Sequence, residues 1–202
     1  MSPLRPVRRV PFATLALVGA MSGAFALDVA TRPRVGLGPE ELPARFVLLG
    51  DGPAPWQLVT WAFVHANAEH LRSNAVALLL FGAACERHLG PRALAASSLL
   101  ACGVVAAAFV CIDGRDLYGA SGLVAALTSL AFALACTRAD RVWARVLVGL
   151  SSLGYALAVD VVPWLRGAPG PGLCPHALGY ATGIALAVAH ARRAPTADAH
   201  PA

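Results

Sequence analysis

Apolar residues fall into six runs along the chain: Val10–Leu27, Glu69–Cys85, Ala93–Ile112, Gly119–Cys136, Val142–Val162 and Pro175–His190. A helix needs about 17–25 mostly apolar residues to cross a hydrocarbon core, so the pattern predicts an all-α, polytopic membrane protein with six transmembrane helices. The second run opens on a polar turn, Glu69-His70-Leu71-Arg72-Ser73-Asn74, which a plain anchor would not carry. The longest connection is Asp28–Ala68, and a loop of that length in a compact protein usually has a function. Its Trp56–Val64 stretch is apolar and aromatic enough to lie at the interface or dip into the membrane.

Composition strengthens this reading. Hydrophobic residues make up 57% of the 202 and charged residues 13%, against roughly 45–50% and about 25% in soluble domains. So few charges cannot cover a water-soluble globule, which argues against a soluble enzyme and against disorder. The net charge of +5 comes with sixteen basic residues, all arginine. They stand between the apolar runs rather than in one tract, so they report topology and not a nucleic-acid partner. Cys85, Cys102, Cys111, Cys136 and Cys174 form no C-x-x-C pair; they read as small packing residues, with neither a disulfide framework nor a metal knuckle indicated.

With the N-terminus inside, the inner segments hold ten arginines and the outer segments five, with Arg72 in the outer turn of the second span. The positive-inside rule then sets both termini in the cytoplasm. The chain divides into a cytoplasmic N-terminus (1–9), a membrane domain (10–191) and a disordered cytoplasmic tail (192–202). Arg5, Arg8 and Arg9 ahead of an apolar stretch ending Ala24-Phe25-Ala26 also fit a cleavable secretory signal, and the later spans keep their orientation either way. Arginine-only basicity and alanine richness point to a GC-rich bacterial gene, hence to an inner membrane whose outer side is the periplasm.

Polar residues within spans are costly and mark function. One cluster, His65 to Asn74, enters the second span, with His70 and Asn74 one turn apart on one face. Another, Tyr118-Gly119-Ala120-Ser121-Gly122, opens the fourth, and a third, His176 to Gly183, opens the sixth. These three spans run in the same direction, so all three clusters should lie near the outer face. Gly122 and Ala126, and Gly179, Gly183 and Ala187, form small-x-x-x-small faces that let helices approach closely in lipid. If the two faces pack together, Ser121 and His176 meet just above the contact. A serine beside an imidazole that can take its proton is the minimum for nucleophilic catalysis. Ser121 at a helix start would add a backbone N–H for an oxyanion, with Asn74, His65 and His70 as further donors. No carboxylate evidently orients His176, so a dyad is expected. Asp160, near the outer end of the fifth span, can reach the site but is assigned no catalytic role. His88 and His190 fall near the inner face and His200 in the tail, away from the site.

Taken singly, these features have plainer readings: G-A-S-G as packing, a histidine at a helix end as interfacial, His70 and Asn74 as an interhelical pair. In order and with these gaps, they resemble the rhomboid intramembrane serine proteases. The resemblance covers Trp56 to Arg193 and is carried by H-x4-H-x3-N (His65, His70, Asn74), G-x-S-G (Gly119–Gly122) and H-x-x-G-x-x-x-G (His176, Gly179, Gly183). Cys85-Glu86-Arg87-His88-Leu89-Gly90 is similar to the family's E-x-x-x-G junction. The resemblance implies a six-helix bundle with a water-filled cavity open to the outer face. It also implies Ser121 as nucleophile, His176 as general base, Asn74 and His65 as oxyanion donors, His70 as support and Glu86 as structural. The implied partners are the lipid bilayer and single-span membrane proteins cut near the outer surface, with no cofactor and no metal.

Three positions depart from the family pattern. Ala125 stands where many members carry an aromatic residue, Gln57 follows Trp56 where many bacterial members have arginine, and Arg72 interrupts the histidine motif. A short chain of this kind is also similar to the rhombosortase branch, thought to process C-terminal Gly-Gly sorting tails. Two further readings stand beside the protease. One is a catalytically inactive rhomboid-like binding protein; the other is a haem or metal protein using His65, His70 and His176, which leaves Ser121 and its glycines unexplained. A transporter would need an inverted repeat or a charged pathway that the chain lacks.

Overall fold

A computed structural model describes residues 10–31, 45–138, 142–167 and 172–192. The expectations for the N-terminal nine residues and for the tail beyond Arg192 lie outside the described residues. The long helices are α1 (Phe12–Thr31), α3 (Ala68–Leu89), α4 (Pro91–Ile112), α5 (Ser121–Arg138), α6 (Val142–Ala156) and α8 (Leu173–Arg192). Two single-turn helices are α2 (Gln57–Thr60), which runs into a 3-10 turn at Trp61–Phe63, and α7 (Val162–Leu165), joined to α6 by a π turn at Leu157–Val161.

Among the described residues, four helical stretches are long and apolar enough to cross a membrane: Phe12–Ala30, Pro91–Ile112, Ser121–Arg138 and Val142–Leu165. The other two runs expected as spans form α3 and α8, with 22 and 20 residues. They have the length and fall short in apolarity because they carry Glu69, His70, Arg72, Asn74 and Glu86, and His176, Thr182 and His190.

α5 is the central helix, with 61% of its span buried against 39% for α4, 11% for α1 and 6% for the α6–α7 arm. Its buried face is Gly, Ala, Leu and Val with one polar residue, Thr128, packed against α3, α4, α6 and α8. The outward faces of α4 and α6 are apolar, with Leu99, Leu100, Val104, Leu147 and Leu150 all exposed, as lipid-facing surfaces require.

Contacts at the ends fix the directions. Glu86 at the C-terminal end of α3 accepts from Ala13 N (3.0 Å), Thr14 N (2.8 Å) and Thr14 Oγ1 (2.8 Å) in the first turn of α1. His190 near the end of α8 bonds Ser97 of α4 at 3.0 Å, and its carbonyl accepts from Arg138 at the end of α5 (2.9 Å). One end of the bundle therefore holds the start of α1 and α4 and the finish of α3, α5 and α8. The starts of α3, α5 and α8, which carry the three polar clusters, share the other end.

Glu86 answers two free N–H groups of a helix start with a negative charge, the arrangement that end of a helix favours. Its geometry is that of a staple between α1 and α3. Glu86→Ala orphans both amides in an apolar setting and should cost about 2–4 kcal/mol, whereas Glu86→Gln keeps an acceptor and should cost less. Thermal unfolding in detergent checks the order, and equal losses would contradict the charged-cap account.

The α6–α7 arm packs Val148 and Tyr155 on the core, but its fully buried residues are polar. Its one buried residue in α6 is Ser152, its one buried residue in the π turn is Asp160, and α7 has none. Both polar side chains point inward, Ser152 Oγ donating to Thr128 O at 3.3 Å, while Leu157, Val159, Val161 and Trp164 face out. The π turn has a local cause. Pro163 offers no N–H, and its ring would press on the carbonyl four residues back in a regular helix. The preceding turn widens, with Val162 N–H reaching back five residues to Leu157 O.

Candidate active site

The turn into α5 is held from three directions. Leu117 pairs with Leu48 through two backbone bonds of 3.0 and 2.9 Å, Gly119 N donates to Trp61 O at 2.9 Å, and Ala120 N donates to His65 Nε2 at 3.4 Å. Gly119 has φ +95°, and a Cβ there would run into the His70 ring, so both conformation and space demand glycine. Ser121 follows as the first residue of α5, half-buried. Opposite, Asn67 caps α3 by accepting from His70 N at 2.8 Å, and the His70 ring lies against Gly119 in this turn. The His65 and His70 rings meet edge-on at 5.2 Å.

The ring of His65 is committed on both sides. Because the Ala120 amide donates to Nε2, the neutral ring carries its proton on Nδ1, which donates to Phe63 O at 3.4 Å. Burial first, then the neighbouring His70, push its pKa down to about 4, so it stays neutral. The oxyanion role expected of His65 does not follow from this geometry: a neutral ring has one N–H, and that N–H is used on backbone. His65 instead holds the Ala120–Ser121 turn. An unfolded histidine takes up a proton near pH 6.5 while this one resists until about 4. The stability this neutral ring allows is therefore full above pH 6.5 and is lost as pH falls toward 4.

α5 and α8 meet along the expected small-residue faces. A Cβ on Gly179 would strike Gly122 O, and one on Gly183 would strike Ala126 O and Ser129 Oγ. Ser129 Oγ also crosses the seam to Tyr180 O at 2.9 Å. At the top of the seam, a Cβ on Gly122 would lie 3.3 Å from Pro175 O, so the residue after Ser121 touches the residue before His176. His176 is buried, and its Nε2 has no hydrogen-bond partner; Ser121 Oγ does not yet bond to it. Hydrogen bonds between nucleophile and base are often long in unliganded enzymes and tighten with substrate. Asn74, 2% exposed, likewise has an unpartnered Nδ2.

The dyad expectation needs correction on one point, because a carboxylate does face His176. Asp160 Oδ1 lies 2.6 Å from His176 Nδ1, and Oδ2 accepts from Tyr180 OH at 2.8 Å. His176 and Tyr180 are four residues apart on α8, so one helix face presents both donors to one carboxyl group. The sequence did carry a signal in the acidic residue within an otherwise apolar run and the H-x3-Y spacing. What it did not carry is the π turn that aims Asp160 inward.

The departures from the family pattern have local explanations. Gln57 is buried and ties the loop together, accepting from Ala54 N at 2.9 Å and donating to Arg45 O at 3.3 Å. Ala125 is fully buried where α5 and Gly179 touch, which leaves no room for an aromatic ring. Arg72 is exposed, turned away from Asn74. An apolar cavity of about 330 Å³ beside the C-terminal turns of α1 reaches His65, but Ser121, His176 and Asn74 do not line it. Among the described residues no three His, Cys, Asp or Glu side chains converge as cation ligands, and His65 has no nitrogen to spare for one.

His65, His70, the Gly119–Ser121 turn and His176 thus lie at one end of a helical membrane bundle, with Glu86 at the other. Among curated proteins nothing matches the chain. The Rhomboid domain family model, however, matches residues 53–193, well over half of the protein and every cluster just described. The chain is a multi-pass membrane protein that belongs to the rhomboid family of intramembrane proteases.

Proposed function

We propose that this protein is an intramembrane serine endopeptidase with Ser121 as nucleophile and His176 as general base. The observation that supports it most is the buried, unpaired Nε2 of His176, on a helix packed against the residue after Ser121. An orphaned basic nitrogen costs stability, and it is the atom a base needs. Ser121 Oγ attacks the scissile carbonyl carbon as its proton moves to Nε2. The resulting oxyanion is met by Asn74 Nδ2 and backbone N–H at the start of α5. Collapse breaks the C–N bond, Nε2–H protonates the leaving amine, and water repeats the sequence in reverse to release the acyl group.

The substrates are single-span membrane proteins cut near the outer face. By the arginine distribution that face is the periplasmic side of a bacterial inner membrane, with both termini inside. The test is labelling of the detergent-solubilised protein by a fluorophosphonate, followed by cleavage of single-span substrates in liposomes. One substrate arm carries a C-terminal Gly-Gly sorting tail, and preferential cleavage of that arm assigns the rhombosortase role. Absence of labelling in folded protein would favour the inactive, ligand-binding reading.

Asn74→Ala should lower kcat by tens to hundreds of fold, as loss of an oxyanion donor does. Since Nδ2 has no partner in the resting protein, the same substitution should leave thermal stability unchanged or raised. A variant with full activity removes Asn74 from the oxyanion site.

A further inference from the structure

We propose that Asp160 is a positioning residue that holds His176 as its Nδ1–H tautomer and keeps Nε2 free as the base. This rests on the serine-protease reading and adds to it a residue outside the motifs that define the site. Four observations carry it. Asp160 is 8% exposed and, with Ser152, is one of the two fully buried residues of the arm. A buried carboxylate in a membrane helix is expensive and calls for a partner, and this one has two, His176 Nδ1 at 2.6 Å and Tyr180 OH at 2.8 Å. The π turn at Leu157–Val161 is what brings it there; one extra residue rotates the rest of the helix by about 100° at 3.6 residues per turn, and such turns are frequent at functional sites. The fourth observation is that the opposite nitrogen of the same ring is the unpaired one.

The proton assignment comes from donor chemistry. A phenol O–H donates to Oδ2, and an ionised carboxylate has only acceptors to offer, so Nδ1 must bring its own hydrogen. In the neutral ring, Nε2 then bears the lone pair. When it takes the Ser121 proton, the ring becomes a cation with Nδ1–H still on Asp160, and the carboxylate steadies that charge without taking the proton. Tyr180 holds the second oxygen and so fixes the angle at which Asp160 meets the ring.

A purely structural tie between α6 and α8 would make the same contacts, so the test needs readouts beyond stability. In the full-length protein, Asp160→Asn and Asp160→Ala should slow fluorophosphonate labelling by roughly ten- to a thousandfold, with kcat carrying the loss and KM changing less than about threefold. Tyr180→Phe leaves the His176 contact in place and should slow labelling by no more than about fivefold. Nitrogen-15 NMR of histidine-labelled protein, with His176 assigned by loss of its signal in His176→Ala, should show a single Nδ1–H tautomer in wild type. In Asp160→Asn, whose amide can donate to Nδ1, that tautomer should be lost. Labelling of Asp160→Ala at the wild-type rate, or an Nε2–H ring in wild type, overturns the proposal. If wild type is not labelled at all, it is the protease reading that fails, and the tautomer still decides what Asp160 does. Should both Asp160 variants fail to fold, the wild-type spectrum alone decides.

Discussion

Alanine at Ser121 is expected to reduce cleavage by about 10⁴-fold or more, alanine at His176 by a similar factor, and the double substitution by no more than either alone. The shared loss has a chemical origin. Without the hydroxyl, His176 has no proton to take; without the imidazole, the hydroxyl attacks with its proton in place. On the proposed mechanism the two side chains work as one device, so the second deletion removes nothing that the first has left. Whatever activity remains comes from groups that do not depend on the pair, namely Asn74 and the amides at the start of α5. Folding should survive, since Ser121→Ala removes one hydroxyl from a half-buried helix start. Cleavage rates in liposomes, read beside thermal unfolding, check both halves. A Ser121→Ala variant with more than about a hundredth of wild-type rate would place the nucleophile elsewhere, because a water-mediated background should be far slower. Losses that multiply in the double variant would mean that His176 acts on something other than Ser121.

Much of the fold was legible because a bilayer leaves so little freedom. An apolar run long enough to span must be a helix, and the run Ala93–Ile112 became α4 at Pro91–Ile112 while Val142–Val162 became the arm from α6 to α7. The pairing of α5 with α8 was legible for a similar reason: glycines four apart are the usual way two membrane helices come close, and Gly122, Gly179 and Gly183 lie where that rule puts them. The common end of the three polar clusters followed from alternating direction alone.

What was not legible depends on local departures from regular geometry. A regular helix through Leu157–Val161 would have turned Asp160 differently, and nothing in hydropathy marks a π turn; only Pro163 hints at it. The use of His65 was hidden for another reason. Its spacing from His70 and Asn74 places it near the site, but whether its N–H meets an oxyanion or the Phe63 carbonyl depends on backbone beyond the motif. α3 and α8 show the reverse effect, where polar residues at their ends leave two helices of spanning length below the apolarity by which a span is recognised.

Replacing Gly183 by alanine is expected to destabilise the bundle by about 1–3 kcal/mol, the usual cost of overpacking a close contact, and Gly179→Ala by a similar amount. In an unencumbered helix the same change is favourable, since alanine is a better helix former than glycine by up to about 1 kcal/mol. Gly103 in α4 and Gly154 in α6 supply that control, because a Cβ at either would meet nothing within 4 Å. On the α5–α8 seam the added carbon meets backbone carbonyls of α5, which no rotamer change can move aside, so the helices must part. The consequences for catalysis should differ between the two glycines. Gly179 lies three residues, less than one turn, after His176, and parting the helices there carries the base away from Ser121; Gly183 lies about 10 Å from His176 along the axis at 1.5 Å per residue. Gly179→Ala should therefore lose fluorophosphonate labelling well beyond its loss of stability, while Gly183→Ala should lose stability with labelling of the folded fraction largely kept. Thermal unfolding and labelling rates of the four glycine variants separate the cases. If Gly183→Ala is as stable as Gly154→Ala, α5 and α8 do not approach as closely as the seam requires. If Gly179→Ala labels like wild type, the base does not depend on that seam for its position.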